Sequence, residues 1–331
     1  MVVITGAAGF IGSCMITKLN NEGITDLILV DDFSKNEKES NLIGKKYLIK
    51  IDRSEFLYKM ISSFHEIYSN LLFKDKIDFI IHIGARTDTT ETNKEIFDDL
   101  NLNYSKTIWN FCTKNQIPLI YISSAATYGD GKLGYDDQDD LLPFKLKPLN
   151  RYGESKNDFD KWVLEQTETP PNWYGLKFFN VFGPNEYHKG RMASVVYNAY
   201  KQAKETNKIK LFKSHNPNFR DGEQLRDFIY VKDIIDVIYW LTEKTPNSGI
   251  YNLGSGRSKS FLSLADAVCS TIDSDKKIEI EFVDIPEDIR DKYQYFTQAK
   301  MNKLRSVGYT KTFYTLEEAI EDYIKNYLDK L

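Results

Sequence analysis

The first 13 residues, MVVITGAAGFIGS, limit the fold more tightly than any other stretch of the chain. An apolar run from Met1 to Ile4 is followed by Gly6, Gly9 and Gly12, then by Ser13 and an apolar helical pattern. This is the order strand, glycine turn, helix. Glycines let a backbone turn sharply and approach a pyrophosphate, and a helix N-terminus offers free N–H groups with a positive dipole end. The spacing is G-x-x-G-x-x-G, not the simplest dinucleotide fingerprint, so its context carries the reading. A second strand is expected from Asp26 to Val30, at βαβ distance. It ends at Asp31-Asp32, where a carboxylate can accept a hydrogen bond from a ribose hydroxyl.

The same alternation continues. Apolar runs recur at Leu27 to Val30, Phe79 to Ile83 and Leu119 to Ser123, with helical patterns between them. The spacing predicts an α/β chain with a Rossmann-type, doubly wound parallel sheet. In such sheets ligands bind beyond the carboxyl ends of the strands, so Gly6, Asp31, Gly84-Ala85 and Ser123-Ser124 stand in informative places. Pro170-Pro171 marks a break, and Leu176 to Phe179 reads as a further core strand. Phe228 to Val231 and Ile250 to Leu253 read as short strands, 234 to 243 as a helix, and His215 to Leu225 as an exposed polar loop. The expected division is a dinucleotide-binding domain over 1–172, with a returning segment near 225–260. A smaller substrate domain over 173–331 is interleaved with it.

At 331 residues with 41% hydrophobic content, the chain can build a sizeable core. A net charge of −4 argues against a nucleic-acid partner. No apolar stretch approaches the roughly 18 residues that span a bilayer. No basic, signal-like N-terminal region is visible, and Cys14, Cys112 and Cys269 read as free thiols, so a cytoplasmic location is expected. The histidines His65, His82, His188 and His215 have no ligand spacing, and no metal site is expected.

Tyr152-Gly-Glu-Ser-Lys156 is the second motif with chemistry in it. Positions i and i+4 share a helix face, which points phenol and ammonium the same way. A free tyrosine, with a pKa of about 10, is a poor base at neutral pH. A neighbouring ammonium and the positive ring of an oxidised nicotinamide would favour the phenolate. Ser124, in SSAATYG one strand earlier, could bond the same substrate oxygen. The three residues then form a hydride-transfer site in which tyrosine takes the alcohol proton.

TGAAGFIGS, SSAATYG and YGESK, in this order, resemble the extended short-chain dehydrogenase/reductases that act on nucleotide sugars. Further blocks are HIGARTDTT, NLNYSK, FFNVFGPNEYHKGRMASV, LRDFIYVKD, YNLGSGRSKSF and YQYFTQAKMNKL. They extend the resemblance over nearly the whole chain, to the branch of that family that epimerises C6 of ADP-linked heptoses. What this implies is transient oxidation and re-reduction on a bound nicotinamide cofactor, serving the lipopolysaccharide inner core. The resemblance makes Lys189 a second acid/base opposite Tyr152. The implied cofactor contacts are Gly6, Gly9, Phe10, Ile11, Gly12, Asp31, Asp32, Lys38, Arg53, Ile83, Gly84, Ala85, Arg86, Thr87, Asn101, Lys156, Val181 and Lys189. On the substrate side stand Ser124, Asn180, Arg191, Asn198, Phe212, Lys213, Ser214, His215, Tyr293 and Arg226, whose guanidinium could grip a pyrophosphate bidentately.

Asp31-Asp32 favours an unphosphorylated ribose, whereas Lys38 and Arg53 match family positions that supply cations near a 2′-phosphate. NADP is expected, with NAD also usable. Arg86 and Arg191 stand where the family has small residues, and Asn198 where it has histidine. The 216–224 loop is longer than in the enterobacterial form. These departures keep a variant heptose or another nucleotide open. The alternatives are a 4-epimerase or dehydratase of another nucleotide sugar, and a non-catalytic cofactor sensor. Ala125-Ala126-Thr127 lacks the acidic pair usual in a dehydratase, and the intact Ser124, Tyr152 and Lys156 count against a sensor. The resemblance also implies a homo-oligomer, a pentamer, with no nucleic-acid or membrane partner.

Overall fold

The computed structural model describes residues 1–62, 77–272, 277–290 and 293–331. His65 lies outside them. The described strands are β1 (Val2–Thr5), β2 (Leu27–Asp31), β3 (Ile49–Asp52), β4 (Phe79–His82), β5 (Leu119–Ser124) and β6 (Trp173–Phe178), followed by β7 (Asn180–Phe182), β8 (Lys208–Phe212), β9 (Leu225–Tyr230), β10 (Gly249–Leu253), β11 (Ser258–Ser260) and β12 (Glu279–Val283). Seven of these make one sheet in the order β10-β6-β5-β4-β1-β2-β3, and every pairing in it is parallel. β1 lies between β2 and β4, so the strand order reverses beside it. That is the switch point where an open α/β sheet has its crevice.

Continuous apolar sequence explains the central strands. VVIT, LILVD, FIIH and LIYISS are buried at every position, as parallel strands covered on both faces must be. Helix α1 (Phe10–Asn21) and the later helix over Val231–Lys244 cover one face. The other face packs on α2 (Arg53–Ser62), α3 (Tyr104–Asn115) and α4 (Arg151–Leu164), around Trp109, Tyr121 and Phe159.

The other long helices are α5 (Val195–Thr206), α6 (Val231–Lys244), α7 (Phe261–Thr271) and α8 (Leu316–Asn326), and the other strands form a three-stranded sheet β11-β9-β7 and a parallel pair β12-β8. Gly249–Leu253 joins the large sheet beside β6, whereas Leu225–Tyr230 pairs within the small sheet. The sequence reading has no strand at β3, β7, β8, β11 or β12. These are short and partly exposed, and lack the apolar runs that marked the others. Among the described residues, no helix is long and apolar enough to cross a membrane.

Candidate active site

The glycine turn is shaped by close backbone approach. Gly6 has φ +69°, and a Cβ there would lie 2.6 Å from the Gly84 nitrogen. A Cβ on Gly12 would lie 2.1 Å from the Gly6 carbonyl oxygen. Only glycine lets β1, the start of α1 and the strand end at Gly84 meet this closely. Gly9 is the N-cap of α1, no side chain caps the helix, and its first turn holds no acid. The N–H groups of the first turn, from Phe10, Ile11 and Gly12, therefore face the crevice side with the helix dipole behind them, which suits a pyrophosphate.

Asp31 closes this turn from β2. Its Oδ2 accepts from the Ala8 N–H at 2.8 Å, and its Oδ1 receives the Lys38 ammonium at 2.9 Å. Asp32 lies 3.5 Å from Arg53 and 3.8 Å from Lys35. The Ser34 hydroxyl, bonded at 2.5 Å, is the largest influence holding the Asp32 carboxyl below its usual range. The repulsion of a 2′-phosphate expected from Asp31-Asp32 is thus offset by cations on both carboxylates.

On the other side of the turn, Ile83 and Gly84 return to β1 through bonds to Thr5. Ala85 and Thr87 flank Arg86, whose backbone N–H and carbonyl are both bonded by the Asn101 side chain, at 2.8 and 3.0 Å. Asn101 is 1% exposed and also donates to the Ser155 hydroxyl. Its amide is spent on fixing this loop to α4, where the sequence reading has it contacting cofactor. It sits in a π-helical turn, Asp98–Asn103, a feature common at functional sites. Arg86 and Arg191 converge on Asp88, at 3.5 and 3.8 Å, and Arg191 also donates to Thr90. Arg191 therefore ties the segment around Lys189 to the loop after β4.

Helix α4 begins at an Asn150 cap, whose side chain accepts from Gly153. A Cβ at Gly153 would lie 2.8 Å from the Ala126 carbonyl, so the helix start packs directly on the turn after β5. This brings Ser124 to Tyr152, where its hydroxyl, which also accepts from the Ala126 N–H at 3.1 Å, favours the phenolate. Burial nevertheless pushes Tyr152 up, the Ser124 bond works against this, and Asp160 adds to it. The sequence reading expects the opposite direction from Lys156. Instead Lys156, buried with its Nζ 2.7 Å from the Ile122 carbonyl, is itself pushed down to about 8 by desolvation, with Asp160 opposing. One turn further on, Asp160 forms a fully buried ion pair with Lys177 at 2.5 Å and accepts from Ser123 and Tyr121.

Lys189 lies in a 3₁₀ segment, Tyr187–Met192, kinked at Gly190. Its ammonium is 5.6 Å from the Phe10 ring centroid, which sets it over the start of α1. Burial pushes its pKa down and Glu186 opposes that. Asn185 bonds Ser13, and His188 contacts Asn41, so the segment rests on the dinucleotide side of the molecule. Val181 and the exposed Asn180 lead into it through β7. The Asn198 side chain donates to the Ala193 carbonyl at 3.2 Å, just past the end of the segment that carries Lys189.

A second group gathers around Arg226. This guanidinium is 7% exposed, bonds the backbone carbonyls of Leu225 and Gln294, and has no carboxylate partner among the described residues. It stacks 5.1 Å from the Tyr293 ring and 5.6 Å from Phe261. Asp227 points elsewhere, to Ser255, Gly256 and Ala299. A buried cation without a counter-ion is costly, and a guanidinium so placed suits an anion that would pair with it. Phe212 packs edge-on against Tyr293, and Tyr295 sits between Tyr293 and Phe219 and accepts from the His215 N–H. Lys213 reaches Asp284 at 3.5 Å, and the Ser214 N–H bonds Asp221 at 2.7 Å. Tyr295 and Phe261 fall within blocks quoted from the sequence, which gave neither a role of its own. The alternation in Tyr293-Gln-Tyr295 was the available signal, because an extended segment sends both rings to one side.

Residues 2–254 match the NAD dependent epimerase/dehydratase family. The chain belongs to this family, and so to enzymes built around a nicotinamide cofactor. An ADP-L-glycero-D-manno-heptose-6-epimerase of Fusobacterium nucleatum is 46% identical over 100% of this chain and 98% of its own length. The enzyme so named from Nitratidesulfovibrio vulgaris is 41% identical over 99% and 98%. Among solved structures, the Helicobacter pylori ADP-L-glycero-D-manno-heptose-6-epimerase superposes with a TM-score of 0.78 at 26% identity, covering 98% of this chain and 95% of that one. A UDP-N-acetylglucosamine 4-epimerase from Methanobrevibacter ruminantium, 21% identical with a TM-score of 0.80 over 100% and 98%, shares the fold.

Proposed function

We propose that this chain converts ADP-D-glycero-D-manno-heptose to ADP-L-glycero-D-manno-heptose by inverting C6 through a transient ketone. The observation that carries the reading is the pairing of two acid/base candidates with one dinucleotide crevice. Tyr152 with Ser124 stands at the end of β5, and Lys189 stands over the start of α1. The full-length similarity to the heptose epimerases points the same way. The nicotinamide, when bound, takes a hydride from the sugar and gives it back. Tyr152 accepts the C6 hydroxyl proton, and Ser124 holds that oxygen. Turning the ketone over in the pocket presents its other face, and Lys189 then supplies the proton to the oxygen. A lysine with a depressed pKa suits such a donor.

Lys156 would hold the ribose of a bound nicotinamide cofactor. Arg226 receives the pyrophosphate of the sugar nucleotide, with Tyr293 and Phe212 along the nucleotide. The cofactor is NADP, with NAD also accepted. Lys38, Arg53 and Lys35 lie against the two carboxylates and offset their repulsion of a 2′-phosphate. The large sheet, β1 to β6 with β10, forms the cofactor domain, and most of the chain after β6 forms the substrate domain interleaved with it. The enzyme works in the cytoplasm as a homo-oligomer.

Incubation with ADP-D-glycero-D-manno-heptose, with the C6 configuration followed by NMR, tests the activity. Inversion without net cofactor reduction is expected. Absence of reaction with this sugar, alongside turnover of another nucleotide sugar, would reject it. Mass spectrometry of the cofactor released on denaturation tests the NADP assignment, and NAD alone would refute it.

A further inference from the structure

Glu186 is absent from every role considered so far, yet it is 0% exposed and has no cation in ion-pair contact among the described residues. A buried carboxylate in that position is costly unless hydrogen bonds satisfy it. Four do. Its oxygens accept from the Gly183 N–H at 3.2 Å, the Ser194 N–H at 2.5 Å, the Ser194 hydroxyl at 2.7 Å and the Tyr323 phenol at 3.1 Å. Gly183 and Ser194 are the two ends of the segment that carries Lys189, and Tyr323 lies on α8. One carboxylate therefore closes the base of the loop and fastens it to the C-terminal helix. Its own backbone carbonyl accepts from the Lys189 N–H at 3.0 Å.

We propose that Glu186 is a positioning residue for Lys189, fixing where its loop stands and serving as the buried counter-charge to its ammonium. This rests on the reading of Lys189 as the second acid/base. The groups that face this segment are Tyr187, His188 and Arg191 within it, Cys14 on α1, Glu37 and Lys38 beside His188, Lys45 and Lys232 beside Cys14, Tyr197 on α5 and Tyr323 on α8. Of the charged groups, Glu186 is the one that acts on Lys189 itself, and it favours the protonated form. Burial favours the neutral amine, which has no proton to give, and Glu186 opposes that shift toward the neutral form.

The test reads the amine directly. The rate at which an amine-reactive acylating reagent labels Lys189 is followed by peptide mass spectrometry across a pH series, without substrate. Glu186→Gln removes the charge, and the labelling midpoint is expected to fall by about one pH unit. Glu186→Asp keeps the charge, and its midpoint should stay nearer that of the unaltered protein. Tyr323→Phe removes one donor and leaves the carboxylate charged at the pH where an amine titrates, so its midpoint should stay near that of the unaltered protein, while the labelling rate of deprotonated Lys189 should rise as the loop loosens from α8. An unchanged midpoint in Glu186→Gln, or a fall in Glu186→Asp as large as in Glu186→Gln, overturns the proposal. If Glu186→Gln does not fold, an unchanged labelling rate of deprotonated Lys189 in Tyr323→Phe, or a midpoint in Glu186→Asp that falls by a full pH unit, overturns it. If Lys189→Met keeps full epimerase activity while the midpoint still moves, the acid/base reading fails and the coupling to Glu186 stands.

Discussion

The two acid/base candidates sit on very different supports. Tyr152 is in the first turn of α4, a 14-residue helix capped by Asn150 and packed on the turn after β5. Lys189 is in a six-residue 3₁₀ segment broken at Gly190 and held at its base by a single buried carboxylate. The first support is regular structure, with the geometry distributed over many contacts. The second is a loop whose geometry hangs on a few polar bonds. An oxidation needs one fixed oxygen position, whereas a ketone that turns over needs room opposite it. A rigid helix facing a tethered loop meets both demands.

The largest effect expected from breaking this comparison is at its rigid side. Tyr152→Phe removes the phenol oxygen and leaves the ring in its packing. Turnover should fall by about 10³-fold, within the range for losing a general acid/base. Cofactor binding, measured by fluorescence titration, should not change. Wild-type turnover in this variant would place the base elsewhere.

Lys189→Met tests the loop side. Epimerisation should fall by about 10²-fold or more, with melting temperature and cofactor content retained. Exchange of the C6 hydrogen with labelled cofactor, read by mass spectrometry, should survive better than inversion, because Tyr152 still serves one face. Equal loss of both would mean that Lys189 supports the first oxidation instead.

The contrast also explains what the sequence disclosed. The glycine turn and the Tyr152-x-x-x-Lys156 pair are local patterns, in which spacing along the chain is spacing in the fold. The strands at β1, β2, β4 and β5 were equally plain because burial on both faces requires unbroken apolar runs. Glu186 looked like any surface acid, since its deciding partner, Tyr323, is 137 residues away. The aromatic walls of Arg226 come from Phe261 and Tyr293, far along the chain, and no local signal marks that meeting. The fall of Lys156 to about 8 was hidden for a related reason. Its charge is seen in the sequence, and its desolvation only in the fold.

Arg226 carries a smaller and more specific expectation. Arg226→Met keeps much of the stacking on Tyr293 and removes the charge. The KM for the nucleotide sugar should rise by about 30-fold, the scale of one charge-assisted contact, with kcat much less affected. A free sugar without the pyrophosphate should show no difference between variant and wild type. A loss confined to kcat would move Arg226 from binding to chemistry.

The smallest effect concerns the other buried lysine. Lys156 and Lys189 are both pushed down by burial, and each has one carboxylate that opposes this, Asp160 for the first and Glu186 for the second. Lys156 differs in that Asp160 is already paired with Lys177, so less of its charge is available. With its pKa at about 8, Lys156 is mostly protonated at neutral pH and loses its proton as the pH rises through that value. A neutral amine donates more weakly to ribose hydroxyls. Cofactor affinity should therefore weaken several-fold, on the order of a few tenths to one kcal/mol, above about pH 8. Binding titrations on either side of that pH would show it, and Lys156→Arg, which stays charged, should flatten the change. Affinity that held steady through the alkaline range in the unaltered protein would remove Lys156 from the ribose contact and leave it as a structural donor to Ile122.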